Sequence, residues 1–252
     1  MSSATLYEAR HGAAWITLNQ PDKRNALSDD LIAGLLSDLG RAVDDPGVRA
    51  IVITGAGSAF CAGADLKSGG MRPGAGENPF VTVMKTIWES PKPVIGGING
   101  HAFGGGVGLA AACDITVAAE SANFSFSEVR VGVIPAMISV VVIPKLGIHN
   151  TMWLFLTGER FDARRAVDLG LIHRAVPADQ LDAAIDEVIG MIRLGGPNAV
   201  REAKQLVRRI PALSMDEGFR YTSQKIAELF ASDEAAEGMT AFVQKRKPKW
   251  AT

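Results

Sequence analysis

The stretch Val94-Ile-Gly-Gly-Ile-Asn-Gly-His-Ala-Phe-Gly-Gly-Gly-Val-Gly-Leu-Ala-Ala-Ala-Cys-Asp-Ile-Thr-Val-Ala118 decides how this chain folds. It opens with Val94–Ile98, a short apolar run that reads as a buried strand. Residues 104–113 are small and unbroken by charge, and read as a helix. Residues 115–118 read as a further strand. Strand, helix and strand at this spacing predict parallel pairing. The glycines crowd one place: Gly96, Gly97, Gly100, Gly104, Gly105, Gly106 and Gly108 surround the end of the first strand. Glycine at a strand-to-helix junction permits unusual φ and ψ and lets a ligand approach the backbone. The first N–H groups of a helix lack internal partners, so this junction can aim donors at negative charge. Tight packing of helix on strand is the competing explanation for the same glycines.

Working outward, residues 14–18 read as a strand that ends at the turn Asn19-Gln20-Pro21-Asp22. Ser28 suits an N-cap, with Asp29 and Asp30 in the first turn. Leu31, Ile32, Leu35, Leu36, Leu39 and Val43 then recur at helical spacing. Residues 50–54 are a β-branched buried strand, and residues 81–89 a helix. Between them, residues 68–79 form a Gly/Pro-rich loop, expected to be a lid over 68–80 that orders on ligand binding. Downstream, residues 163–169, 180–193, 199–209, 215–231 and 235–245 read as helices, with Ser214-x-x-Glu217 as a capping box. No internal repeat is visible. The chain is an α/β core followed by a helical C-terminal part.

Composition narrows the function. Lys plus Arg number 26 against 27 Asp plus Glu, so no basic footprint for nucleic acid exists. Cys61 and Cys113 form no CxxC pair, and the four histidines lack metal-ligand spacing, so no metal is expected. Gly104, Gly106 and Gly108 fail GxGxxG because Leu109 stands at the third-glycine position. No P-loop lysine and no GxSxG elbow occur. The N-terminus lacks a signal peptide's apolar segment. The longest apolar run, residues 131–144, is interrupted by Gly132, Pro135, Ser139 and Pro144, and falls short of the ~18 residues that span a bilayer. A cytoplasmic protein without membrane contact is expected.

Glu128 ends the mostly apolar stretch Ala122-Asn-Phe-Ser-Phe-Ser-Glu-Val129. A carboxylate among apolar groups has a raised pKa, which suits acid/base work near neutrality. Asp114 opens a buried strand and reads as structural. His101 reads as a hydrogen-bonded structural histidine.

These residues together resemble the enoyl-CoA hydratase/isomerase (crotonase) superfamily along nearly the whole chain. The landmarks are Asn19-Gln-Pro-Asp-Lys-Arg-Asn-Ala-Leu27, Ala59-Phe-Cys-Ala-Gly-Ala-Asp-Leu66, Ile98-Asn-Gly-His-Ala-Phe-Gly-Gly-Gly-Val-Gly-Leu109, Phe124-Ser-Phe-Ser-Glu-Val129, Leu156-Thr-Gly-Glu-Arg-Phe161 and Gly238-Met-Thr-Ala-Phe-Val-Gln-Lys-Arg246. The resemblance implies a crotonase-like spiral of ββα units over 1–195, with a C-terminal helical trimerisation region over 196–252. It implies a homotrimer or a dimer of trimers. It implies an acyl-CoA thioester substrate and a place in fatty-acid metabolism, with no cofactor beyond the coenzyme A carried by the substrate. By position, the backbone N–H groups of Ala64 and Gly105 would bind the thioester oxygen as it becomes an enolate. Arg24, Ala26, Ala62, Asp65 and Leu66 would contact the CoA, and Phe242 and Lys245 would come from a neighbouring subunit.

Two positions depart from the pattern. Where two-glutamate hydratases carry an acid three residues after the oxyanion glycine, this chain has Gly108. After Pro135, where many hydratases have a glycine-rich run, it has Ala136-Met-Ile-Ser139. The combination resembles single-glutamate bacterial hydratases such as the 3-methylglutaconyl-CoA hydratase-like proteins. Three readings stay open: a hydratase with Glu128 as its acid/base, a Δ3,Δ2-enoyl-CoA isomerase shuttling a proton with one base, and a non-catalytic acyl-CoA-binding protein.

Overall fold

The computed structural model describes residues 3–65 and 78–251. Leu66 and most of the expected lid lie outside them. The chain opens with an antiparallel hairpin, β1 (Thr5–Arg10) and β2 (Ala13–Leu18), turned at His11 and Gly12, both at positive φ. A 3-10 turn at Pro21–Lys23 leads to α1 (Asp29–Asp44). The Ser28 side chain accepts the Leu31 N–H at 3.3 Å, as a capping serine should.

A repeating unit follows. β3 (Ala50–Gly55), β4 (Ala59–Cys61) and α2 (Pro79–Glu89) make its first turn. β5 (Val94–Ile98), β6 (His101–Phe103) and α3 (Gly105–Ala112) make the second. β7 (Ile115–Ala119), β8 (Asn123–Ser125), a 3-10 turn at Ser127–Val131 and α4 (Ala136–Thr157) make the third. Then come β9 (Arg160–Asp162), α5 (Ala163–Asp168), β10 (Arg174–Val176) and α6 (Leu181–Leu194). Three further helices end the chain: α7 (Pro197–Arg209), α8 (Met215–Phe230) and α9 (Asp233–Val243).

Each turn gives one strand to each of two sheets. The first sheet runs β1-β2-β3-β5-β7-β10 and the second β4-β6-β8-β9. Pairing is parallel except at β1/β2 and β8/β9. This is the spiral of ββα units that the resemblance implied. The inner strands β2, β3, β5 and β7 are buried on both faces, which explains their nearly continuous apolar sequences. Ile16, Leu18, Ile51 and Ile53 face the main core under α1 to α4. Trp15, Val52, Ile95 and Val117 face the other way, onto Leu181, Ile185 and Ile189 of α6.

The structure differs from the sequence expectations in two respects. β1, β4, β6, β8, β9 and β10 are strands beyond those expected. The apolar run expected to end at Pro144 continues as α4 to Thr157, long and apolar enough to cross a bilayer by length and composition. The helix breaks at Gly147 (φ 69°, ψ 166°). At ~1.5 Å per residue each piece is about 16 Å long, half of a ~30 Å hydrocarbon core.

Asp114 fastens the C-terminal helices to the core. Lys204 on α7 reaches its Oδ2 at 2.8 Å, and also donates to the carbonyls of Ile87 and Lys92. Arg208 pairs with its Oδ1 and lies over the Trp88 ring, 4.0 Å from the centroid. The structural role expected of Asp114 is the one it has. The C-terminal stretch Gln244-Lys-Arg-Lys-Pro-Lys-Trp250 is basic and partly tied to its own chain. Arg246 makes a two-pronged pair with Glu237 at 2.7 and 2.9 Å. The Trp250 indole donates to the Leu194 carbonyl at 3.1 Å, and Arg49 donates to the carbonyls of Gly195 and Trp250.

Candidate active site

The glycines of the deciding stretch divide between packing and clearance. A Cβ on Gly106 would stand 2.1 Å from the Cys61 carbonyl oxygen, so α3 lies backbone to backbone against β4. Gly104 serves the other purpose. Its φ of 51° and ψ of −118° belong to glycine. It points its bare Cα at Glu128, where a Cβ would come 3.1 Å from Oε1. The Gly104 N–H is held by the Ser125 carbonyl at 2.9 Å, which anchors the start of α3 to β8.

The second donor strand comes from the other side. Gly63 has φ 86°, and a Cβ there would lie 2.6 Å from the Phe103 carbonyl oxygen and 3.2 Å from the Gly105 nitrogen. Ala64 follows, bridged to Leu27, whose N–H donates to the Gly63 carbonyl at 2.8 Å. Asn25, buried at φ 53°, holds this corner. Its Oδ1 accepts the Gln20 N–H, and its Nδ2 donates to the carbonyls of Ala56 and Ala59 at 3.0 and 2.8 Å. Among the described residues the backbone N–H groups of Ala64 and Gly105 have no acceptor. Helix geometry explains Gly105, because the first residue of a helix has no intrahelical partner.

Glu128 sits on the 3-10 turn after β8, half-buried, with its Oε2 buried and unpaired. Burial pushes its pKa above the usual carboxylate value, partly offset by a hydrogen bond from its own main-chain N–H. Glu128, Ala64 and Gly105 line one cleft of about 570 Å³. Its far wall is apolar: Val131, Val133, Ile134, Met137 and Ile138. Such a cleft can stabilise a developing oxyanion with main-chain donors and move a proton with one carboxyl group.

Of the residues predicted for the site, Glu128, Ala64, Gly105 and Ala62 line this cleft. Arg24 is exposed at the end of the first 3-10 turn, and its carbonyl accepts the Ala62 N–H at 3.0 Å. Ala26 is buried beside it; Asp65, half-buried, follows Ala64 in the chain but is outside the cleft lining. Phe242 and Lys245 are exposed at the end of α9 and do not line the cleft of their own chain. His101 is exposed on β6 with its ring stacked on Phe103, away from the cleft lining. Sequence reasoning missed Asn25 as a pin and Ile138 as a wall. The first stood inside a quoted motif, while the second depends on packing between α3 and α4. No cluster of three metal-binding side chains occurs among the described residues. Burial pushes the Cys61 and Cys113 thiols up to about 12, which keeps them inert.

Comparison with known proteins shows the family and the fold. Residues 8–252 match the family described as enoyl-CoA hydratase/isomerase. A crystal structure of an enoyl-CoA hydratase/isomerase from Marinobacter aquaeolei superposes with a TM-score of 0.91 at 35% identity, covering 100% of both chains. An enoyl-CoA hydratase from Mycobacterium smegmatis gives 0.91 at 32% identity, again over 100% of both chains. The carnitinyl-CoA dehydratase of Proteus mirabilis is 34% identical over 262 residues, 99% of each chain. The chain belongs to the enoyl-CoA hydratase/isomerase family, with the crotonase fold, and is an enzyme of that family.

Proposed function

We propose that this enzyme adds water to a 2-enoyl-CoA thioester. The thioester oxygen accepts the N–H groups of Ala64 and Gly105, so negative charge formed on it as the α-carbon becomes enolate-like meets donors already in place. Preorganised donors of this kind are worth ~10²–10³ in rate each. Glu128 supplies the proton transfers, activating water for the β-carbon and returning a proton to the α-carbon. The observation that carries this reading is the unpaired, buried Glu128 Oε2 in the same cleft as two free main-chain donors. Relatives named as a hydratase and a dehydratase support water as the second reactant.

The CoA moiety is assigned to Arg24, Ala26, Ala62, Asp65 and Leu66, with Phe242 and Lys245 donated by a neighbouring copy in a trimer or a dimer of trimers. Exposed Phe219, Phe230 and Phe242 on α8 and α9 support residues 196–252 as the assembling part. One observation favours a second reading, the double-bond isomerase: Gly108 stands where a second acid would help to hold water. The deciding experiment follows crotonyl-CoA by loss of the conjugated thioester absorbance, with H₂¹⁸O in the solvent. Hydration with ¹⁸O in the product is expected. Conversion of a 3-enoyl-CoA without label, and no hydration of any 2-enoyl-CoA, would establish the isomerase instead.

A further inference from the structure

Gly108 lies one turn beyond Gly105 on α3, fully enclosed. What encloses it is Ile138, on the first turn of α4. A Cβ built on Gly108 would stand 2.0 Å from Ile138 Cγ2 and 2.7 Å from its Cβ. The isoleucine therefore occupies the volume that any side chain at 108 would need. It is only 3% exposed, whereas Val131, Val133 and Ile134 on the same wall are 59%, 54% and 72% exposed. Those three form an open rim, and Ile138 is the rigid floor behind them. A β-branched residue on a helix has one strongly preferred χ1 rotamer, so this floor does not swing aside.

We propose that Ile138, seated on Gly108, is the specificity-determining residue of the cleft. It limits the bulk of acyl group that fits between Glu128 and α4. The inference rests on the reading that places an acyl thioester at Ala64 and Gly105. One consequence follows from the geometry. Shortening Ile138 opens room for a branch on the acyl chain. A methyl group at 108 cannot refill that room, because the Ile138 Cβ, 2.7 Å from where it would stand, remains in the shortened variants.

The test measures binding of butyryl-CoA and isovaleryl-CoA by titration calorimetry, which requires no turnover. Wild type, Ile138→Ala and Ile138→Val are compared. Ile138→Ala is expected to shift the affinity ratio toward isovaleryl-CoA about fourfold, the worth of one methyl group newly buried. Ile138→Val should shift it less in the same direction, and serves if the alanine variant does not fold. A ratio unchanged in folded Ile138→Ala or Ile138→Val protein overturns the proposal. Crotonyl-CoA hydration by the wild type separates the two claims. Turnover with an unchanged ratio refutes only the role of Ile138. A shifted ratio without turnover of any enoyl-CoA refutes only the proposed reaction. Failure of the wild type to bind either thioester overturns both.

Discussion

Replacing Glu128 by Gln should cost activity and improve stability at once. The perturbation keeps the shape of the side chain and removes its charge and its proton exchange. Loss of a general acid/base typically lowers kcat by ~10²–10⁴. The two main-chain donors remain, so KM should change little. Stability should move the other way, because the wild type buries an unpaired carboxylate oxygen and its charged form is disfavoured by burial. An unmade hydrogen bond on a buried group costs ~1–3 kcal/mol and more when charged. Glu128 is only half-buried, so the gain for the neutral amide should be nearer 1 kcal/mol, about 2–4 °C in Tm for a chain of this size. The pH dependence fixes the sign. With the folded-state pKa raised, the wild type carries no penalty at low pH, where the carboxyl is protonated in both states. Stability falls as pH rises from the unfolded pKa of ~4.3 through the higher folded value. The advantage of Glu128→Gln should therefore be absent below about pH 4 and larger at pH 7. Crotonyl-CoA hydration and thermal melts at both pH values are the assays. Activity within tenfold of wild type would refute Glu128 as the acid/base. A Tm several degrees lower at pH 7 would refute the account of its burial.

Asp114→Asn should leave Lys204 and Arg208, 6% and 10% exposed, without their carboxylate. Losing one partner of a buried pair costs ~3–5 kcal/mol, and urea unfolding should show it; a loss under about 1 kcal/mol would mean the cations find other partners. Gly106→Ala should fail to accumulate as folded protein, because its methyl meets the Cys61 carbonyl and only backbone could give way. Gly40→Ala on α1 is the matching control. Its methyl meets nothing within 4 Å, so it should stabilise by ~0.5–1 kcal/mol in the same unfolding assay.

Some of this was legible in the linear sequence and some was not, for physical reasons. The Ser28 cap, the α1 stripe and the buried strands at 50–54, 94–98 and 115–118 carry local signals: a side chain that bonds its own helix, a 3.6-residue period, a β-branched run. The strands of the second sheet have three residues each, too few for an alternation to show. The structural repeat hides for the same reason, since its turns share positions in space and not residues. Pro144 misled because proline was read as a stop, whereas α4 tolerates it and breaks later, at Gly147. At the site, the glycines announced clearance and Glu128 announced itself as an acid in apolar company. The contact of Gly108 with Ile138 joins positions far apart in the chain, and no local pattern encodes which side chain fills a glycine's space.

The two donors proposed at Ala64 and Gly105 belong to the main chain, and this has a consequence for descent. A side-chain donor can be erased by many single substitutions. A peptide N–H is lost only to proline, or by disturbing the turns at Gly63 and Gly104 beside it. Mutation is thus free to rewrite the acid/base and the acyl wall of such a cleft while its anion-binding end is inherited intact. On the proposed reading, a lineage built on this scaffold can explore new reactions without first losing its main-chain grip on the thioester oxygen.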